Sequence, residues 1–199
     1  MIEDVSRETL ERLTTLAELL RKWNPSINLV SRATIPDLWD RHILDSVQVY
    51  TAAPHVHGDW VDIGSGGGFP GLVAVIIASE KQPDVKFRLI ESDQRKCVFL
   101  KTVLREIGLQ ADVTSQRIEQ VAPLDADILS ARALAPLDRL LDMAQRHLTP
   151  GGTALFPKGR QWRNEIADAQ LRWRFQHDVL PSKTDPEAVI LRIKEIEHV

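Results

Sequence analysis

The chain has 199 residues, 43% hydrophobic and 27% charged, with a formal net charge of −3. Such a composition fits a globular domain with a core of good size and gives no bulk electrostatic sign of a nucleic-acid binder; any such partner must be met by a local basic patch. One cysteine, Cys97, rules out an intramolecular disulfide and fits a reducing cytosol. The charged start MIEDVSRETLERL lacks the apolar stretch of a signal peptide, and no apolar run reaches the roughly 20 residues that cross a bilayer. A cytoplasmic protein is therefore expected.

In chain order, Leu10, Leu13, Leu16, Leu20 and Trp23 recur at helical spacing over 6–23, and the helix is expected to end at Asn24-Pro25. A second helix is predicted over 34–50, with Thr34 as its cap and Trp39, Ile43 and Val47 on one face. Beyond a boundary near 54–58 the period changes. Strands are predicted at 60–64, 87–91, 111–115, 126–130 and 153–156. Helices are predicted at 72–79, 94–107, 137–147 and 161–171. Two alternating runs, 174–180 and 188–196, read as a closing antiparallel hairpin at one sheet edge. Alternation of strand and helix argues for a doubly wound α/β fold. An N-terminal helical segment, 1–57, precedes it, and the α/β domain spans 58–199.

The most informative stretch is VDIGSGGGFPG (61–71), five glycines in the eight residues after the first strand. Its second half matches the dinucleotide pattern G-x-G-x-x-G, so a nicotinamide oxidoreductase is one reading. Three features favour another. Asp62 at the strand end would repel a diphosphate, Pro70 deletes a backbone N–H that an anion site would use, and the glycines parse better as Asp62, Gly64, Gly66 and Gly68. S-adenosylmethionine has no phosphate. Its ammonium suits a carboxylate, and its ribose diol suits Glu91, which ends the next strand about where a ribose acid is expected, roughly 20 residues past the loop. Asp62, Gly64, Ser65, Gly66, Gly68, Phe69 and Glu91 are thus candidate cofactor residues, in an enzyme or in a regulatory module that binds the cofactor without turnover.

At this point the chain resembles the bacterial RsmG (GidB) proteins, small-subunit ribosomal RNA guanine-N7 methyltransferases. The resemblance rests on KWNPSINLVS (22–31), RHILDS (41–46), the glycine loop, DQRKCVFL (93–100), SQRIE (115–119), SARA (130–133) and PKG (157–159). It implies a Rossmann-like class I S-adenosylmethionine-dependent methyltransferase that forms 7-methylguanosine in 16S ribosomal RNA, within the small ribosomal subunit or an assembly intermediate. It further implies that Gly64 and Phe69 touch the cofactor, that Ile118 and Glu119 flank its adenine, that Arg132 lies beside it, and that Arg117 and Lys158 are basic residues of the active-site mouth. The family often has a basic residue before its last strand, where this chain reads Asp185-Pro186-Glu187.

The chemistry agrees with that implication. Guanine N7 is an unprotonated lone pair, so methyl transfer to it needs orientation rather than a general base. Arg132, Lys158 and Arg117 are the expected catalytic group. With Arg160 and Arg163 they form a candidate phosphate patch, and Trp162 is a candidate base-stacking residue. His42 and Asp45, three apart, read as a helix-surface hydrogen-bonded pair, and Asn28 and Arg41 as ties between the two segments. No metal ligand set stands out, and the absence of a coiled-coil or large apolar stripe favours a monomer.

Overall fold

A computed structural model describes residues 5–54 and 58–199. Seven strands form one sheet in the order β3-β2-β1-β4-β5-β7-β6. Strands β1 (Asp59–Ile63), β2 (Lys86–Glu91), β3 (Asp112–Ser115), β4 (Ala126–Ser130) and β5 (Leu148–Lys158) run parallel. The last strand in sequence, β7 (Val189–His198), inserts antiparallel beside β5, and β6 (Trp173–Pro181) pairs with it at the edge. This is the edge hairpin expected from the sequence. The chain reverses its crossover direction between β3 and β4, so β1 and β4 are neighbours and a crevice opens above their carboxyl ends.

The alternation of side chains along β1 divides the core. Trp60 faces one layer with Leu72, Leu89 and Phe99, while Val61 and Ile63 face the other with Leu129, Leu141 and Phe156. The first layer holds α1 (Arg7–Ile27), α2 (Asp45–Ala52), α3 (Gly71–Lys81) and α4 (Gln94–Glu106); α5 (Leu137–His147) and α6 (Trp162–Ala169) carry the second. Leu13, Leu16 and Leu20 of α1 are fully buried in the first layer. The N-terminal segment and the sheet therefore share one core. The expected boundary near 54–58 includes 55–57, which lie outside the described residues.

Three elements differ from the sequence reading. Helix α1 continues past Pro25 to Ile27. In the last turn a proline removes only one ladder bond, and closure falls to Asn28, which takes a left-handed conformation (φ 50) and donates its N–H to the Asn24 carbonyl at 3.0 Å. The buried Asn24 side chain then accepts the Val30 N–H at 2.9 Å, fixing the exit of the chain. The helix predicted over 34–50 is instead a short 3-10 turn (Arg32–Thr34), a π-helical segment (Trp39–Leu44) and α2. Thr34 does not cap it, because its hydroxyl bonds the Ser31 carbonyl and the His42 ring. Strand β5 begins earlier than expected, but its pairing with β4 slips between Leu148 and Thr153, where Thr149-Pro150-Gly151-Gly152 bulges out. Pro150 lacks a ladder donor and Gly151 is left-handed.

One shared core makes a specific demand. Leu20→Ala should destabilise the whole chain by about 2–5 kcal/mol, and urea unfolding should stay a single transition by tryptophan fluorescence and circular dichroism. Separate transitions of α1 and the sheet would show that the segments fold independently.

Candidate functional site

The site lies above the carboxyl ends of β1, β2, β4 and β5, as three adjoining cavities. One, of about 420 Å³, is lined by Gly64, Gly66, Glu91, Lys96, Arg117, Ile118 and Glu119. A second, of about 500 Å³, runs under the N-terminal segment past Ser65, Phe69, His42 and Thr184. A third, of about 480 Å³, lies between the β4 and β5 ends beside Lys158 and Glu165. Arg132 and Ala133, immediately after β4, line all three.

The glycine loop forms the floor of the first cavity. Glu91, almost buried at the end of β2, accepts the Gly66 N–H and the Asp93 N–H, each at 2.8 Å. It thus pins the loop to the adjacent strand while facing the cavity. Gly66 has φ 50 with no atom nearer than 3.6 Å to a hypothetical Cβ, so its backbone conformation rather than crowding favours glycine. Gly68, at φ 88, is also crowded: a Cβ would stand 2.4 Å from Leu72. Arg117 and Glu119 are exposed at the rim, and Ile118 is buried as an apolar wall.

Asp62 and Gly68 do not reach the cavities. The side-chain period of β1 turns Asp62 to the same layer as Trp60, against the first residue of α3, where a Cβ on Gly71 would lie 2.6 Å from its Oδ2. The Trp60 indole donates to Ser130 at 2.9 Å, and Ser130 donates to Asp62 Oδ1 at 2.6 Å. Burial raises the Asp62 pKa to about 6, against the opposing pull of the Ser130 and Ser65 hydroxyls and the Gly71 amide. Asp62 therefore braces the loop from behind rather than offering an open carboxylate to a ligand.

Arg132 is the most heavily held cation of the site. Its guanidinium donates to the Arg41 carbonyl at 3.1 Å, to Asp45 Oδ2 at 3.3 Å and to His42 Nδ1 at 2.6 Å, and it lies 5.3 Å from the Phe69 ring centre. The hydrogen bonding fixes the histidine tautomer. Arginine has no acceptor, so Nδ1 carries a lone pair and Nε2 the proton. Nε2 then donates to the Thr34 hydroxyl at 2.7 Å, which donates to the Ser31 carbonyl at 2.8 Å. The His42 ring stacks on Phe69 at 5.1 Å. Burial, aided by the Arg132 and Arg41 charges, lowers the His42 pKa to about 4. The expected bond between His42 and Asp45 is absent; both side chains turn to Arg132 instead. Ala133 beside it is left-handed (φ 52), a costly state for a residue with a Cβ and one found disproportionately at functional sites.

The other basic residues separate. Lys158, with its side chain 8% exposed, pairs with Glu165 at 2.7 Å; Arg160 pairs with Glu187 at 2.6 Å. Arg163 lies 4.2 Å over the Trp162 ring, and Trp162 itself packs on the second core layer, which removes it as an open stacking platform. The proposed phosphate patch is thus largely neutralised, with Arg117 exposed at the rim. Sequence reasoning missed Lys96, Arg139 and Met143 in the first cavity, Glu165 in the third, and the segment joining β6 to β7. That segment closes the second cavity: Asp185 bonds Arg41 at 3.4 Å and Thr184 donates to Asp45 at 3.3 Å. Arg41 does tie the N-terminal segment to the sheet, as expected.

Sheet order, strand-end acid and glycine loop together define a Rossmann-like class I methyltransferase fold. Solved structures share it. A ribosomal protein L11 methylase from Lactobacillus delbrueckii superposes with a TM-score of 0.60 at 14% identity, covering 75% of this chain and 76% of that one. A TehB-like S-adenosylmethionine-dependent methyltransferase from Corynebacterium glutamicum gives 0.59 at 14% identity, covering 92% and 99%. Residues 9–188 match the family model GidB, rRNA small subunit methyltransferase G, and the chain belongs to that family. Curated relatives of the name ribosomal RNA small subunit methyltransferase G include one from Ruegeria sp., 58% identical over 98% of this chain and 95% of the relative, and one from Paramagnetospirillum magneticum, 50% identical over 98% and 92%.

The His42 contact carries a pH signature. An unfolded histidine binds its proton near 6.5, whereas folded His42 resists to about 4. The unfolded state holds more protons in between, so the His42 contribution is full above about 6.5 and is lost as pH falls towards 4. Asp62 acts in the opposite direction. Raised to about 6, it favours the fold below its unfolded value near 3.9 and loses that contribution as pH rises through 6. Comparing wild type with His42→Asn cancels the Asp62 effect. The stability advantage of wild type, from urea unfolding, should shrink steadily between pH 7 and pH 4; a constant difference would refute the neutral state of folded His42.

Proposed function

We propose that the protein uses S-adenosylmethionine to methylate guanine N7 in 16S ribosomal RNA, through orientation without a general base. The observation that carries this reading is the state of the junction between the cavities. Each carboxylate there is engaged with a cation: Asp45 with Arg132, Glu165 with Lys158 and Asp185 with Arg41. The histidine is held neutral with its lone pair donated to. None of these groups is poised to remove a proton, and N7 has none to remove.

The first cavity suits the cofactor. Glu91 keeps carboxylate lone pairs beyond its two backbone bonds and can accept a ribose diol; Ile118 offers an apolar wall to adenine, and Glu119 stands at its edge. Gly64, Ser65 and Gly66 leave the backbone open to the amino-acid part, with Phe69 beyond them. When bound, the cofactor supplies a methyl group on a positively charged sulfur. Arg132 lines all three cavities and would meet a carboxylate of the cofactor there, and its ties to His42, Asp45 and the Arg41 carbonyl remove its rotamer freedom beforehand. Fixing the partners in this way supplies up to about 7–11 kcal/mol. Asp62 and Gly68 act from behind, holding the loop. Arg117 at the rim suits an RNA phosphate.

Two measurements test this. Nucleoside mass spectrometry of small-subunit RNA from a deletion strain should show the loss of one 7-methylguanosine, restored by the purified protein; an unchanged level would overturn the substrate. Arg132→Lys keeps a cation beside Asp45 but not the planar fork that meets His42, Asp45 and the Arg41 carbonyl together. Methyl transfer should fall at least about tenfold with little change in melting temperature, and activity within twofold of wild type would refute the orienting role.

A further inference from the structure

The third cavity has a hydrogen-bonding character of its own. It lies at the carboxyl ends of β4 and β5, is about 480 Å³, and shares Arg132, Ala133, Leu134 and Ala135 with the cofactor cavity. Lys158 reaches it from the last residue of β5, and Glu165 from the first turn of α6. The ammonium has three N–H groups. One meets the Ala135 carbonyl at 3.0 Å and one Glu165 Oε2 at 2.7 Å. The third has no acceptor among the described residues, although the side chain is more than nine-tenths buried. Glu165 Oε2 also accepts the Leu137 N–H at 2.9 Å, while Oε1 receives no hydrogen bond among the described residues. The cavity is thus faced by an adjacent donor and acceptor, held in register by their own ion pair. Two further charged groups, Asp45 and Arg132, pair with each other on the side towards the cofactor cavity. Leu134, 39% exposed, offers an apolar face.

Resting on the guanine-N7 reading, we infer that this cavity receives the target base out of its stack and that Lys158 and Glu165 read its O6 and N1–H. Enzymes that act on a base commonly extrude it into a pocket that reads its Watson–Crick edge. Guanine presents an acceptor, O6, beside a donor, N1–H; adenine and cytosine present the reverse. Lys158 donating to O6 and Glu165 Oε1 accepting from N1–H match guanine and oppose both others. Uracil shares the lactam edge but has no N7 to methylate. With O6 on Lys158, the neighbouring N7 falls on the opposite side from N1. Glu165 is then a specificity residue rather than a base.

The test uses the full protein and one RNA substrate carrying guanine, 2,6-diaminopurine or hypoxanthine at the target position. 2,6-Diaminopurine keeps N7 and the 2-amino group but reverses the O6/N1 edge; hypoxanthine keeps that edge and loses only the 2-amino group. Wild type should methylate the hypoxanthine substrate nearly as well as guanine and the 2,6-diaminopurine substrate about 10- to 100-fold more slowly in kcat/KM. Glu165→Gln, whose carboxamide can also donate, should narrow that ratio at least tenfold. A ratio within one protein is insensitive to partial loss of fold, so the role of Glu165 at the start of α5 does not mimic this outcome. If wild type methylates 2,6-diaminopurine as fast as guanine, or Glu165→Gln leaves the ratio unchanged while guanine is still methylated, the pocket assignment fails and N7 chemistry stands. If wild type forms no 7-methylguanosine, the function itself fails.

Discussion

The arrangement depends on one largely buried guanidinium. Arg132 follows β4 at the point where three cavities meet, and burial alone would disfavour its charge. Asp45 compensates electrostatically, the Arg41 carbonyl and the His42 ring nitrogen take its donors, and Phe69 lies against it. Removing one partner would leave a charge poorly solvated and unpaired, which is the expensive case for a buried ion pair. The N-terminal segment is therefore part of the site: three of the four groups that hold Arg132 come from residues 41–45.

That dependence explains several local irregularities together. The π-helical widening at Trp39–Leu44 lies directly under His42 and ahead of Asp45, and such widening recurs at functional sites. Thr34 gives up a cap and completes the proton-ordered chain from Arg132 to the Ser31 carbonyl. The acidic segment between β6 and β7 meets this cluster at Arg41, through Asp185, and places Glu187 on Arg160. In this chain those acids neutralise cations at the rim. Of the cations lining the three cavities, Arg41, Arg132 and Lys158 are paired with acids, whereas Lys96, Arg117 and Arg139 have no ion pair among the described residues.

Much was legible in the sequence because it depends on local rules. Alternation and helical spacing gave the order of strands and helices, the edge hairpin, and a glycine loop after β1 with an acid after β2. Gly64, Gly66, Glu91, Arg117, Ile118, Glu119 and Arg132 do share one cavity. Asp62 departs from the expectation for a physical reason: with a side-chain period of two, a residue on the Trp60 side of β1 faces α3 and not the cavities. The end of α1 differs because a proline in the last turn costs only one ladder bond and Asn28 closes the helix beyond it, and the second helix differs because the Thr34 hydroxyl is held by the Ser31 carbonyl and the His42 ring instead of capping.

The sequence by itself determined the fold class, the family and the position of the glycine loop, because each rests on short-range pattern: side-chain periodicity, backbone conformations that favour glycine, and motifs of contiguous residues. Only the tertiary structure decided what each polar side chain does. A histidine and an aspartate three residues apart leave each other for an arginine about ninety residues away. A lysine and a glutamate seven apart become a matched donor and acceptor over a cavity. Such pairings depend on which charges burial brings together and which it leaves to water, and spacing along the chain does not encode that.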